Sequence, residues 1–133
     1  MKLLFLFFLL LCIKLAHNPL SAQEISHSDS IAAAIRHGNS RELANFLNAT
    51  VQLILPGSDG RYSKTQAELI IRDFFNRTPP SSFTLKHSGE SGDGSQFHIG
   101  IYKSGETRFR TYFLIKQQAG YWLIHQLRIE PEE

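Results

Sequence analysis

The chain has 133 residues, with 14 Lys and Arg, 12 Asp and Glu, one Cys and 42% hydrophobic residues. That length makes one domain the default, and the ordinary composition excludes collagen-like, coiled-coil and disordered classes. The formal net charge is only +2.

Met1 and Lys2 precede an uncharged run from Leu3 to Ile13, and Lys14 ends it. A bilayer-crossing helix needs about 20 apolar residues, so this run is too short. A basic start, a short apolar run and a polar stretch containing Pro19 and Ala22 describe an export signal. Residues 1–22 therefore read as a signal peptide and 23–133 as one domain, exported to the periplasm or secreted. No stable membrane insertion is expected after its removal. The signal takes two of the basic side chains, none of the acidic ones, and Cys12. The remainder is neutral and thiol-free. That excludes disulfides, a thiol nucleophile and thiolate metal sites, and it removes the electrostatic case for nucleic acid.

Ser28 or Asp29 can cap a first helix, with Ile31, Ala34 and Ile35 at helical spacing and Gly38 as its stop. Ser40 starts a short second helix carrying Leu43, Phe46 and Leu47. Thr50 to Leu55 is rich in β-formers and ends at Pro56-Gly57, and Ser58-Asp59-Gly60 reads as a turn. Ser63 and Gln66 fit a capping box for a helix to about Arg77, with Ala67, Ile70, Ile71, Phe74 and Phe75 as its apolar stripe. Pro79-Pro80 stops it. The rest reads as four strands: 82–88, 96–103, 106–117 and 121–129. Turns are expected at Asp93-Gly94, Ser104-Gly105 and Ala119-Gly120. Helices first and an antiparallel meander afterwards make an α+β pattern.

Alternation splits each strand into two faces. The face expected to meet the helices holds Phe83, Leu85, His87, Phe97, Ile99, Ile101, Phe109, Thr111, Phe113, Ile115, Tyr121, Leu123, His125, Leu127 and Ile129. The other holds His98, Tyr102, Arg110, Tyr112, Leu114, Trp122, Ile124, Gln126 and Arg128, among others. Aromatics beside arginines are typical of interface centres, so Tyr102, Arg110, Tyr112 and Trp122 are the candidate interface of a homodimer.

This order of elements resembles the nuclear transport factor 2-like superfamily, a cystatin-like α+β cone in which N-terminal helices pack on a curved antiparallel sheet. More narrowly, Tyr62-Ser63-Lys64-Thr65-Gln66-Ala67-Glu68, Asp73-Phe74-Phe75, His87-Ser88-Gly89 and Ile99-Gly100-Ile101-Tyr102 resemble a family of small exported bacterial proteins of unknown function. The resemblance implies a pocket at the open end of the cone and no particular chemistry, because the superfamily includes isomerases, dehydratases, binding proteins and dimerisation modules.

An inner face rich in Phe, Ile and Leu suits a small apolar ligand, and Phe74, Phe109, Phe113 and His125 are the candidate lining. The alternative is a proton-transfer enzyme of the isomerase or dehydratase type. His125 would be its base, because a free imidazole titrates near neutrality. His87 and Asp73 are the weaker catalytic candidates, with Asp73 also placed to pair with Arg77. A metal site would need three or four convergent ligands, and His87, His98 and His125 lie on separate strands, so no metal and no cofactor is expected. The Gly89, Gly92 and Gly94 cluster has no Gly-Lys-Ser/Thr and leads into a strand, so it is no phosphate loop. The expectation is a non-enzymatic exported domain that binds a small apolar ligand, forms a homodimer, or both.

Overall fold

A computed structural model describes residues 26–132. The signal segment 1–22 lies outside them. Helix α1 spans His27–Arg36 and α2 spans Ser40–Ala44. They are followed by β1 (Leu47–Leu55), β2 (Ser58–Ser63) and helix α3 (Lys64–Arg77). Four strands complete the chain: β3 (Ser82–Glu90), β4 (Gln96–Ser104), β5 (Thr107–Gln118) and β6 (Tyr121–Pro131).

Local chemistry sets these boundaries. Ser26, two residues before the expected cap, accepts a hydrogen bond from the Asp29 amide at 3.2 Å. The capping box at Ser63 and Gln66 forms as expected. The second helix stops at Ala44, and Leu47 already belongs to β1. Ser58-Asp59-Gly60 is not a turn. It starts β2, which pairs antiparallel with β1 around Pro56-Gly57, where Gly57 takes the left-handed conformation.

The six strands form one curved sheet in the order β2-β1-β6-β5-β4-β3. All neighbours are antiparallel except β1 and β6, which run parallel. The helices cover one face. Ala67, Ile71, Phe74 and Phe75 of α3 are buried, as are Ile31, Ala34 and Ile35 of α1. Arg36 Nε donates to the Phe83 carbonyl at 3.1 Å and ties α1 to β3.

Three expected face assignments are overturned. Strand β4 is turned over: Tyr102 is fully buried and His98 nearly so, while Phe97, Ile99 and Ile101 are only half-buried on the open face. The pairing requires it, because Tyr102 opposes Phe109 and His98 opposes Phe113, and directly opposed residues share a face. A bulge at Lys86 moves His87 opposite Ile99, onto the open face. A second bulge, at His125, leaves Ile124 opposite Ile115 and fully buried; Trp122 then packs against the core.

Candidate functional site

The space expected to hold a ligand is occupied by the protein's own aromatics. The Phe74 ring lies 5.5 Å from that of Tyr102 and 5.7 Å edge-on from that of Phe109. Phe75 stacks on Tyr102, and the Tyr102 hydroxyl donates to the Thr78 carbonyl just past the end of α3. Phe113 is fully buried against the His98 ring, 5.0 Å away. Phe74, Phe109 and Phe113 are therefore core residues rather than the lining of an opening. Tyr102 is a core residue too, and Trp122 lies on the helix-facing side with His27 beside it. Of the four interface candidates, Arg110 and Tyr112 stand on the open face as expected.

The catalytic candidates are scattered. Asp73 is exposed and pairs with Arg77 at 2.7 Å. His87 is on β3 and His125 on β6, with β4 and β5 between them. At the usual strand spacing that is about 14 Å, too far for one imidazole to orient the other. His125 Nε2 is buried without a hydrogen-bond partner. Burial holds its pKa below the ordinary histidine value, and the positive charges of Lys116 and Arg61 push the same way. The imidazole is thus neutral near pH 7, with no carboxylate among the causes of its shift. His98 is also held low by burial, with Asp29 partly opposing. Among the described residues no group of three His, Cys, Asp or Glu could hold a metal ion, and no helix is long and apolar enough to cross a membrane.

The open face carries the more developed site. A depression of about 460 Å³ is lined by Phe97, Ile99, Arg110, Tyr112, Gln126 and Arg128. That volume lies within the ~300–1,000 Å³ of small-molecule sites. Its residues come from three adjacent strands. Phe97 and Ile99 are on β4, Arg110 and Tyr112 on β5, and Gln126 and Arg128 on β6. Opposed pairs knit it together: Ile99 with Tyr112, and Tyr112 with Arg128. The Phe97 and Tyr112 rings stack at 6.3 Å. Phe97 also lies over Gly89 on β3, where a side chain would collide with the ring.

The site's polar groups are only partly satisfied. Arg128 Nε is buried and has no hydrogen-bond acceptor; the nearest carboxylate oxygen, of Glu130, is 4.0 Å away. No ion pair among the described residues engages Arg110. An apolar floor with a few polar groups around it is the general make-up of a small-molecule site. Phe97 and Ile99 escaped the sequence reading because their hydrophobicity pointed inward. Alternation places Gln126 and Arg128 on the correct face, but nothing in their pattern marks them as lining a depression.

A second hollow, of about 290 Å³, lies beside the β3–β4 loop, lined by Asp93, Gly94, Ser95, Lys116, Gln117 and Gln118. Ser95 donates twice to Asp93, and these bonds hold the Asp93 carboxyl below the usual carboxylate range.

Relatives share the fold without adding chemistry. A solved protein from Bacteroides uniformis is 30% identical, with a TM-score of 0.75 over 81% of this chain and 99% of its own. One from Bacteroides ovatus is 29% identical, with a TM-score of 0.73 over 78% of this chain and 94% of its own. An NTF-2 like protein of unknown function from Burkholderia xenovorans is 9% identical, with a TM-score of 0.60 over 80% of each chain, which shows the shared fold alone. No curated protein matches the chain. The family model for a domain of unknown function, DUF4783, matches residues 28–130, and the chain belongs to that family.

Proposed function

We propose that this protein is a non-enzymatic, exported binding module whose working surface is the open face of its sheet, with a small molecule held in the depression over Phe97, Ile99 and Tyr112. The observation that carries this reading is the contrast between the two faces. The helix-covered side is packed with its own aromatics, while the open side combines half-buried apolar residues with an arginine Nε–H that lacks an acceptor. Residues 1–22 support the exported setting through their signal-like pattern.

A second reading has the same face closed by a second copy of the chain. The observation favouring it is that apolar residues continue beyond the depression, through the half-buried Ile101, Leu114 and Leu123. Native mass spectrometry of the protein, purified without refolding from its exporting host, separates the two. A co-purifying mass that is lost in Tyr112→Glu supports the ligand module. A clean dimer that Tyr112→Glu turns into a monomer overturns it in favour of self-association.

A further inference from the structure

We infer that the ligand of the open face is an amphiphilic anion: a carboxylate head bound by Arg128 and Arg110, and an alkyl or aryl body lying over Ile99 and the Phe97–Tyr112 pair. This rests on the reading of the open face as a small-molecule site.

The head group follows from Arg128. A buried guanidinium N–H without an acceptor forfeits a hydrogen bond of the charge-assisted kind, which is the stronger kind. Its nitrogen faces no acceptor of the protein, and Glu130 stands too far for a good bond. Arg110 opposes Glu130 in the strand register but forms no ion pair with it among the described residues, so Glu130 is the one carboxylate near the two arginines. The depression therefore carries a surplus positive charge. A ligand carboxylate would supply the missing negative charge to the solvent-facing part of Arg128, whose side chain is 41% exposed at the depression. Guanidinium suits this role because its fork matches the two oxygens of a carboxylate.

The wider face has the same sign. Arg61 opposes Gln52, which itself aligns with Gln126, so Arg61 lies on the open side. Lys116 follows Tyr112 and Leu114 at alternate positions on β5. Asp59 and Glu130 are the acids on the same side, and Glu132 is occupied by Arg108 at 3.0 Å. Lys116 is shared with Asp93 in the neighbouring hollow, so it adds to the field rather than to the head-group site.

The body follows from the floor. Stacked Phe97 and Tyr112 rings with Ile99 beside them offer apolar area but few acceptors, and Gln126 is the only other polar side chain there. An inorganic anion would leave that floor wet, whereas a neutral hydrocarbon would leave the charge of Arg128 unmatched.

The test is calorimetric titration of the purified, ligand-stripped protein with decanoate and, separately, with its neutral isostere decanamide. Decanoate is expected to bind at least roughly tenfold more tightly, the contribution of about one charge-assisted hydrogen bond. Arg128→Gln should bring decanoate down to the affinity that decanamide has for the same variant, and Arg110→Gln should narrow the gap between the two probes. Raising the salt should weaken decanoate alone. Equal affinity for both probes, unaltered in Arg128→Gln, overturns the anionic class yet leaves an apolar ligand module standing. Failure of both probes, or binding only to phosphatidylglycerol vesicles, overturns the proposal. A co-purifying mass in native spectra would still show whether the open face is a ligand site.

Discussion

Two glycines on neighbouring strands allow the two faces of the sheet to be tested separately. A Cβ on Gly100 would lie 2.7 Å from the Thr84 carbonyl oxygen and 2.9 Å from Cζ of Phe83. The first is backbone of the paired strand, and the second belongs to a ring only 2% exposed. Neither can move without disturbing the core. Overpacking of this kind costs about 1–3 kcal/mol. Gly→Ala also returns about 0.4–1 kcal/mol by restricting the unfolded chain. The net loss for Gly100→Ala is then about 1.5 kcal/mol, or a fall in Tm of roughly 6–12 °C for a domain near this size. A Cβ on Gly89 would be tighter still, 2.6 Å from Cζ of Phe97, but that ring is half-buried on the open face and can swing aside. Gly89→Ala should therefore melt close to the parent while pushing Phe97 away from Tyr112 and weakening decanoate and decanamide alike. Thermal denaturation followed by circular dichroism reads both variants. A Gly89→Ala variant that melts as low as Gly100→Ala, or a Gly100→Ala variant within about 2 °C of the parent, would refute the face assignment of β4.

Acid should destabilise the fold through its histidines. His98 and His125 are held below the ordinary value of 6.5 in the folded chain, so the unfolded chain binds more protons as the pH falls below that value. Their contribution is complete above about pH 6.5 and is lost as pH falls through the folded values, with a slope of at most about 1.4 kcal/mol per pH unit for each. Urea midpoints at pH 7.5 and 5 should differ less in His98→Gln than in the parent; an unchanged difference would mean His98 is not desolvated. Tyr102→Phe removes the bond to the Thr78 carbonyl and should cost about 1 kcal/mol in urea unfolding, with decanoate affinity preserved. Ser63→Ala breaks the capping box of α3 and should cost a similar ~1 kcal/mol, read as a lower melting temperature.

The helices were legible because their signals are local. The Ser63–Gln66 box, the spacing of Ala67, Ile71, Phe74 and Phe75, and the Pro79-Pro80 stop all act within one turn of the chain. Strand β2 was missed because Ser58-Asp59-Gly60 has turn composition, and pairing with β1 overrides it. The inversion of β4 has a different origin. Phe97, Ile99 and Ile101 are more hydrophobic than His98, Gly100 and Tyr102, so alternation alone points the wrong set inward. The inner set works through features that hydrophobicity does not record: a phenol that reaches the Thr78 carbonyl, and a missing side chain at Gly100 that makes room for the Phe83 ring.

The turns nevertheless contained the correct answer. Gly105 and Glu106 form a two-residue loop between Ser104 and Thr107, so opposed residues follow by counting outward. Phe109 then falls opposite Tyr102 and Phe113 opposite His98, and placing β5 with its phenylalanines inward places Tyr102 inward as well. The Ala119-Gly120 turn works the same way, since Gln118 opposes Tyr121 and Ile115 therefore opposes Ile124. Counting from that turn alone would turn Ile124 and Trp122 toward the core, as observed, but would then misplace Leu127. The bulge at His125 restores it to the core by inserting one residue. His125 is thus the residue that lets β6 bury Ile124 near the turn and Leu127 and Ile129 beyond it, while Gln126 and Arg128 stay beside Tyr112 on the open face. A bulge of this kind leaves no mark in the hydrophobic pattern. The arginine that gives the candidate site its charge therefore owes its position to the histidine first suspected of catalysis.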